Sequence, residues 1–464
     1  MSTSTPPTSP LVYRFTLPNS LPIAWWRASS YCYHTLLFPA ALCTLNFLLF
    51  GRLSKVGGGF TVAVCLALNC IAHRVAGLMV LPAGIPTTPW LPGLLELVRK
   101  HGGKAAEAMC KSAEDYCASS KATCSRNEAA MRAATSSAPV HLTAPDGVAS
   151  TGWLYSPTSP AKGCVLYLGG NGEYAEQSMM HVRETWARRS GFGVLALNYR
   201  GVGASAAGQQ ATRDGIVLDA LTALSFLLAP KEQGGLGLPP HRVLLVGHSL
   251  GGGIGALAAA LSPQQGVTVI SERSFGTLTE AAVCMLFPKL LPAFSLLPAA
   301  SAAGASAVGG ASAAPTRLTA AEPGGGLLGA CVRTAFRLVM RHVCGWELDA
   351  AAAWPSLPKN TKVIVYAPDD GVVVFPASLA AAVTGVGSRA PLPREQVGCL
   401  CKLGATAGFG EANGMAAHNK PLTEAELARL MPVCALASEP MPAGRVLGSG
   451  AVVPSERREL PSAC

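Results

Sequence analysis

From Val140 onward, short apolar runs punctuated by Gly, Pro and Asp alternate with longer stretches of helix-forming residues. Val140 to Ala144, the turn Pro145-Asp146-Gly147 and Ala149 to Tyr155 read as a β-hairpin, and Gly163 to Leu168 as the next strand. Val194 to Leu197, Val243 to Val246 and Val267 to Ile270 continue the series, with helices at Ile216 to Leu228 and from Leu250. Strands and helices alternating at this pitch predict an α/β fold, a mostly parallel sheet with helices on both faces. Between Phe275 and about Asp349 the alternation stops. Met285 to Leu297 is apolar but broken by Pro288 and Pro292, and Ala299 to Ala330 is an Ala/Gly/Ser tract too poor in apolar bulk to order itself. An amphipathic helix at Ala330 to Cys344 then precedes a strand at Val363 to Tyr366 and a last one at Val397 to Leu403. A short polar helix at Thr423 to Met431 and a loose tail follow, and no internal repeat is visible.

The first 138 residues have a different texture. Residues 1–34 are rich in Ser, Thr and Pro and read as a flexible N-terminus. Two apolar runs follow, Leu36 to Phe50 and Phe60 to Ala72, the second continuing past His73 and Arg74 to Leu81. Each falls short of the ~20 clean apolar residues that span a bilayer. Residues 35–85 therefore fit either a membrane-associated hairpin or a buried soluble one. Within 86–138, Lys104 to Ala134 contains no Pro or Gly and is dominated by strong helix formers. Cys110, Cys117, Cys124 and Met131 recur there at heptad spacing, which predicts a packed stripe rather than a metal site.

Charge sharpens this division. The net charge is +10, and no Asp or Glu precedes Glu96 although Arg14, Arg27, Arg52, Lys55 and Arg74 do. Basic residues set among apolar runs, not among aromatics, favour a membrane surface or a targeting segment and exclude a nucleic-acid partner. An acid-free, Ser-rich start also fits an organelle transit peptide, so the location expected is intracellular, membrane-associated, with an organelle as one option. The 15 cysteines match neither zinc pairs nor a thioredoxin-type pair and read as mostly free thiols of a reducing compartment.

Candidate chemistry is concentrated at Gly247-His248-Ser249-Leu250-Gly251. The apolar strand Arg242 to Val246 runs straight into this pentapeptide and a helix of Gly, Ala and Leu runs out, which is the setting of a nucleophile elbow. Small neighbours are required there, because the serine occupies a strained turn between tightly packed strand and helix. Ser249 is the candidate nucleophile, and His248 an orienting neighbour.

With this motif the chain resembles the alpha/beta-hydrolase superfamily over roughly Val140 to Pro421. The resemblance implies an oxyanion loop after an early strand, where Leu168-Gly169-Gly170-Asn171-Gly172-Glu173 stands; many family members carry His-Gly at Gly169-Gly170. It implies the backbone N–H groups of Asn171 and Leu250 as oxyanion donors. Asn198 to Ser205 is similar to the family's Arg-Gly-x-Gly-x-Ser turn, with Arg200 in a structural role. The order Ser, acid, His places the acid in Ala367-Pro368-Asp369-Asp370-Gly371, Asp370 favoured over Asp369. Glu272 is a third candidate, although Arg273 beside it suggests a salt-bridged turn. His418 is the only histidine after the acid and is the expected base.

The function so implied is a serine hydrolase of the carboxylic ester hydrolase or lipase type, with no metal and no organic cofactor. It would cleave an acyl ester or related acyl bond through an acyl-enzyme. The insertion 276–349 stands where family members carry a lid, and its apolar residues suggest a small-molecule or lipid acyl substrate; peptidase and thioesterase chemistry share the same triad. The hydrolase domain is expected over 139–422, with a C-terminal helix and tail over 423–464. A catalytically silent hydrolase-fold protein that binds ligands at a membrane is the alternative.

Overall fold

The computed structural model describes residues 11–15, a few positions between 77 and 86, and, with short breaks, 91–286, 331–404 and 415–430. The apolar runs Leu36 to Phe50 and Phe60 to Ala72, the Ala/Gly/Ser tract and the tail beyond 430 lie outside the described residues. Among the described residues no helix is long and apolar enough to cross a membrane.

Among the described residues nine strands form one sheet: β1 Leu11–Arg14, β2 Ser137–Thr143, β3 Ala149–Tyr155, β4 Cys164–Leu168, β5 Gly193–Asn198, β6 Val243–His248, β7 Thr268–Glu272, β8 Lys362–Tyr366 and β9 Cys399–Lys402. Their spatial order is β1-β2-β3-β5-β4-β6-β7-β8-β9. Only β3 runs against its neighbours; all other pairs are parallel. From β4 the chain steps outward to β5, then crosses back to place β6 on the other side of β4. Such a reversal opens a crevice at the carboxyl ends of the strands, here at the exits of β4 and β6, whose ends pair Leu168 with Gly247.

Strand side chains alternate between two apolar layers because successive residues point to opposite faces. Leu166, Leu168, Leu195, Leu197, Val243 and Leu245 face one layer. Val165, Tyr167, Val194, Ala196, Leu244 and Val246 face the other. All five residues of β4 are buried, which explains why the central strands read as continuous apolar runs and not as alternating ones. Helices α4 Arg213–Leu228 and α5 Leu250–Leu261 cover the first face. On the second face lie α3 Ala175–Val182 and residues 424–430. The latter are helical and begin with a capping box, in which Glu426 Oε2 accepts from Thr423 N at 2.8 Å and Thr423 Oγ1 accepts from Glu426 N at 3.2 Å. Leu427 and Leu430 bury themselves against the sheet.

Upstream, α1 Leu91–His101 and α2 Gly103–Ala133 precede β2. Along α2 the heptad stripe faces the domain, with Cys110 and Met131 fully buried and Cys117 and Cys124 half-buried. Burial pushes the Cys164 and Cys124 thiols up to about 12, with Glu176 and Glu128 adding to the effect at Cys124. Thiolate is the reactive form. Iodoacetamide at pH 8 should therefore alkylate the exposed Cys331 well before Cys164 or Cys124 in the folded protein; equal rates by peptide mass spectrometry would contradict their burial.

Three local expectations change. β1, unexpected from its four residues, forms by pairing parallel with β2 more than a hundred positions away. The last strand starts at Cys399 because Gly398, at φ +85°, breaks the run after a helical turn at Arg394–Val397. The helix expected at Ala330 to Cys344 ends as a π-helical segment, Val339–Val343, in which Cys344 N donates to Val339 O at 2.8 Å.

Candidate active site

Ser249 stands between β6 and α5 with φ 52° and ψ −117°, one of two non-glycine residues at positive φ among the described residues. Such a conformation costs on the order of 1–3 kcal/mol and persists only where its surroundings enforce it. Two glycines make the turn possible. A Cβ on Gly247 would sit 2.2 Å from Gly251 O, and one on Gly251 would sit 2.0 Å from Leu168 O. Backbone meets backbone at both points, so no larger residue fits.

Across the crevice, the turn after β4 runs alongside the nucleophile: a Cβ on Gly170 would lie 3.5 Å from Ser249 Cβ. Tyr199 fixes this turn by donating its hydroxyl to Gly169 O at 3.1 Å. Asn171 is exposed in the turn and its carbonyl accepts from Ala83 N at 3.3 Å. Leu250 is buried and opens α5, so its N–H lies in the first turn, where no intrahelical acceptor exists.

Asp370 leaves β8 through a tight turn and is 4% exposed. Its Oδ1 accepts from the backbone N–H of Val372 and Val373 at 2.8 and 2.9 Å, and its Oδ2 faces His418 Nδ1 at 2.8 Å. His418, buried in the short helix α6 Met415–Asn419, thus receives a fixed orientation from a fixed carboxylate. Among the described residues Ser249 Oγ makes no hydrogen bond. Burial pushes the His418 imidazole below its ordinary value, and neighbouring His248 adds to this against the opposing pull of Asp370.

Neither of the other two acid candidates is paired with His418. Asp369 is exposed, and Glu272 pairs with Arg273. Arg200 lies in a buried ion network with Asp219 and Asp146, at 2.8 and 2.7 Å, and takes no place beside Ser249.

Residues 165–398, half of the chain, match the model of the alpha/beta hydrolase family. The chain belongs to that family. Curated relatives of this hydrolase-family chain are multifunctional-autoprocessing repeats-in-toxin proteins. That of Vibrio cholerae is 30% identical over 142 residues, covering 28% of this chain and 3% of the toxin. That of Vibrio vulnificus is 32% identical over 120 residues, covering 25% of this chain and 2% of the toxin. The chain thus spans a few per cent of the length of the toxins it matches. Similar solved structures include an esterase of Pyrococcus furiosus, at 16% identity and TM-score 0.36, over 58% of this chain and 81% of that one. Another is Est1E of Butyrivibrio proteoclasticus with ferulic acid bound, at 16% identity and TM-score 0.37, over 64% and 99%.

The candidate site also contains long-range contacts that sequence reading did not reach. Glu173, at the end of the oxyanion turn, pairs with His248 Nδ1 at 2.7 Å. The guanidinium of Arg273 donates to Ala417 O at 2.9 Å and to Lys420 O. Arg273 has φ 48°, and its place directly after Ser271-Glu272 at a strand end was the one available sequence signal.

Proposed function

We propose that the chain is a serine hydrolase that cleaves an acyl ester or related acyl bond, with Ser249 as nucleophile, His418 as base and Asp370 as the residue that orients His418. The observation that carries this reading is a buried Asp370–His418 hydrogen bond of 2.8 Å in the crevice where Ser249 is held at φ 52°. His418 accepts the Ser249 proton as Oγ attacks the acyl carbonyl, then returns it to the leaving group. Water, deprotonated by the same imidazole, releases the acyl-enzyme. The negative charge that forms on the carbonyl oxygen points toward the N–H groups of Leu250 and Asn171, and one such donor supplies about 2.7–4 kcal/mol of transition-state stabilisation.

An apolar acyl group is supported by large apolar side chains exposed on the two described ends of the insertion: Met285 is 56% and Leu338 52% exposed. On this reading, medium- and long-chain esters turn over faster than acetyl esters, and equal rates across chain lengths would remove the apolar preference.

The experiment that tests the triad is covalent labelling of the purified full chain with a fluorophosphonate. The native protein labels at one serine and Ser249→Ala does not. A well-folded native protein that fails to label leaves the silent, ligand-binding alternative in its place.

A further inference from the structure

The imidazole of His248 faces two partners. Its Nδ1 meets Glu173 Oε1 at 2.7 Å and its Nε2 meets the backbone carbonyl of His418 at 2.9 Å. A carbonyl oxygen only accepts, so Nε2 must hold a proton. The contact with the carboxylate needs a proton of its own between Nδ1 and Oε1. The couple therefore holds one proton more than a neutral histidine beside a carboxylate, and its net charge is zero.

Glu173 is tied in from both sides, since its Oε2 accepts from Ser178 Oγ at 2.6 Å and from Tyr167 OH at 3.1 Å. It belongs to the turn that passes Ser249, whereas His418 arrives on a segment 170 residues beyond His248. We propose that Glu173 and His248 are positioning residues, a proton-sharing couple that fastens the backbone of His418 to the oxyanion turn. The role rests on the reading of Ser249, Asp370 and His418 as the reacting triad. Arg273, backed by Glu272, holds the same segment through Ala417 O and Lys420 O. Three of four consecutive carbonyls around the base are thereby gripped by two side chains, each with its own carboxylate.

The couple also acts on the base electrostatically. The rings of His248 and His418 lie 4.9 Å apart between centroids, so a positive His248 keeps His418 neutral and able to accept a proton. The charged groups facing His248 are Glu173, Glu272 and Arg273, with the titratable His418 ring beside it and Tyr167 reaching it through Glu173. Burial alone would lower the His248 value; the hydrogen bond and charge of Glu173, helped by Glu272 and opposed by Arg273, raise it above the ordinary 6.5. A raised folded-state value means that the stabilisation is complete below 6.5 and is lost as pH climbs through the raised value. Loss of that proton leaves either a lone pair facing the Glu173 carboxylate or one facing the His418 carbonyl, and the grip opens. His418 sets the acid limb of activity and His248 the alkaline limb.

Kinetics of the full chain on an activated ester, normalised to phosphonate-labelled sites, test this. His248→Ala should lower kcat by about 10²-fold, the effect of a misplacement of about 1 Å, with KM little changed. Glu173→Gln keeps every hydrogen bond with neutral groups: the amide oxygen accepts from Tyr167 and Ser178, and the amide N–H donates to Nδ1 of a neutral imidazole. It should lower kcat less than His248→Ala does, while moving the alkaline limb of the kcat profile to higher pH or removing it. An unmoved alkaline limb in Glu173→Gln, or native kcat in His248→Ala, overturns the proposal. Imidazole ¹⁵N resonances of His248, assigned by their loss in His248→Gln, give a readout that needs no turnover. Both nitrogens should be protonated at pH 7 in the native protein, and neutral at Nδ1 in Glu173→Gln. A doubly protonated His248 in a protein that fails to label leaves the couple intact and removes the hydrolase reading. A singly protonated His248 in a labelled enzyme removes the couple alone.

Discussion

Asp370→Asn should lower kcat on the order of 10⁴-fold with little loss of stability. The asparagine carbonyl can still accept from Val372 N and Val373 N, the two bonds that shape the turn after β8. What changes is the group presented to His418. The Asp370 carboxylate at 2.8 Å accepts from Nδ1–H and so leaves Nε2 unprotonated, free to act as the base proposed for Ser249, whereas an amide N–H aimed at Nδ1 forces the proton onto Nε2. The base then has no lone pair for the serine proton, and the imidazolium that forms during attack loses its counter-charge. Both effects are large in triads of this kind, where the same change costs about 10⁴ in kcat. Neither of the other two acid candidates compensates, because Asp369 is exposed and Glu272 is engaged by Arg273. Steady-state kinetics beside a melting curve make the check. A variant within about tenfold of native, far short of that 10⁴, would remove Asp370 from the proposed triad.

Much of this site is legible in the sequence because its chemistry is written in contiguous residues. The elbow is a pentapeptide between a strand and a helix, and the close approaches at Gly247 and Gly251 are visible as a demand for small side chains. Asp370 and His418 follow from chain order once the elbow is read. Central strands are equally plain, since burial on both faces leaves no polar positions in β4 or in the first four residues of β6. Elements that depend on distant partners are not legible. β1 is four residues, Leu-Val-Tyr-Arg, whose strand state comes from pairing with β2; edge strands of this length are set by context more than by propensity. The Glu173–His248 contact joins residues 75 positions apart, and nothing local to either one indicates the other. Arg273 shows the same limit. Its pairing with Glu272 can be read from adjacency, but its hold on Ala417 and Lys420 comes from the fold.

The sequence reading of Arg200 as structural leads to the largest stability effect. Its guanidinium is 5% exposed and meets Asp219, fully buried on α4, at 2.8 Å, and Asp146 in the β2–β3 turn at 2.7 Å. Asp219 also accepts from the Arg200 backbone N–H at 2.7 Å. Burial alone would lower the guanidinium's value, but the two carboxylates more than restore it and keep the group charged. One side chain thus joins the hairpin, the turn after β5 and α4, which packs on the same sheet face as the elbow helix. Asp219→Ala should cost about 3–5 kcal/mol, because the cation is left buried with only a partly exposed partner. For a domain of this size that corresponds to a melting temperature lower by roughly 6–20 °C. Asp146→Ala should cost less, since Asp146 is 19% exposed and water can take its place. The double change Arg200→Met with Asp219→Leu removes both charges and should recover much of the loss of Asp219→Ala. Melting curves of the three variants separate the explanations. Recovery in the double variant identifies the stranded cation as the source of the damage, and equal losses in Asp219→Ala and the double variant would place it in the shape of the turn instead.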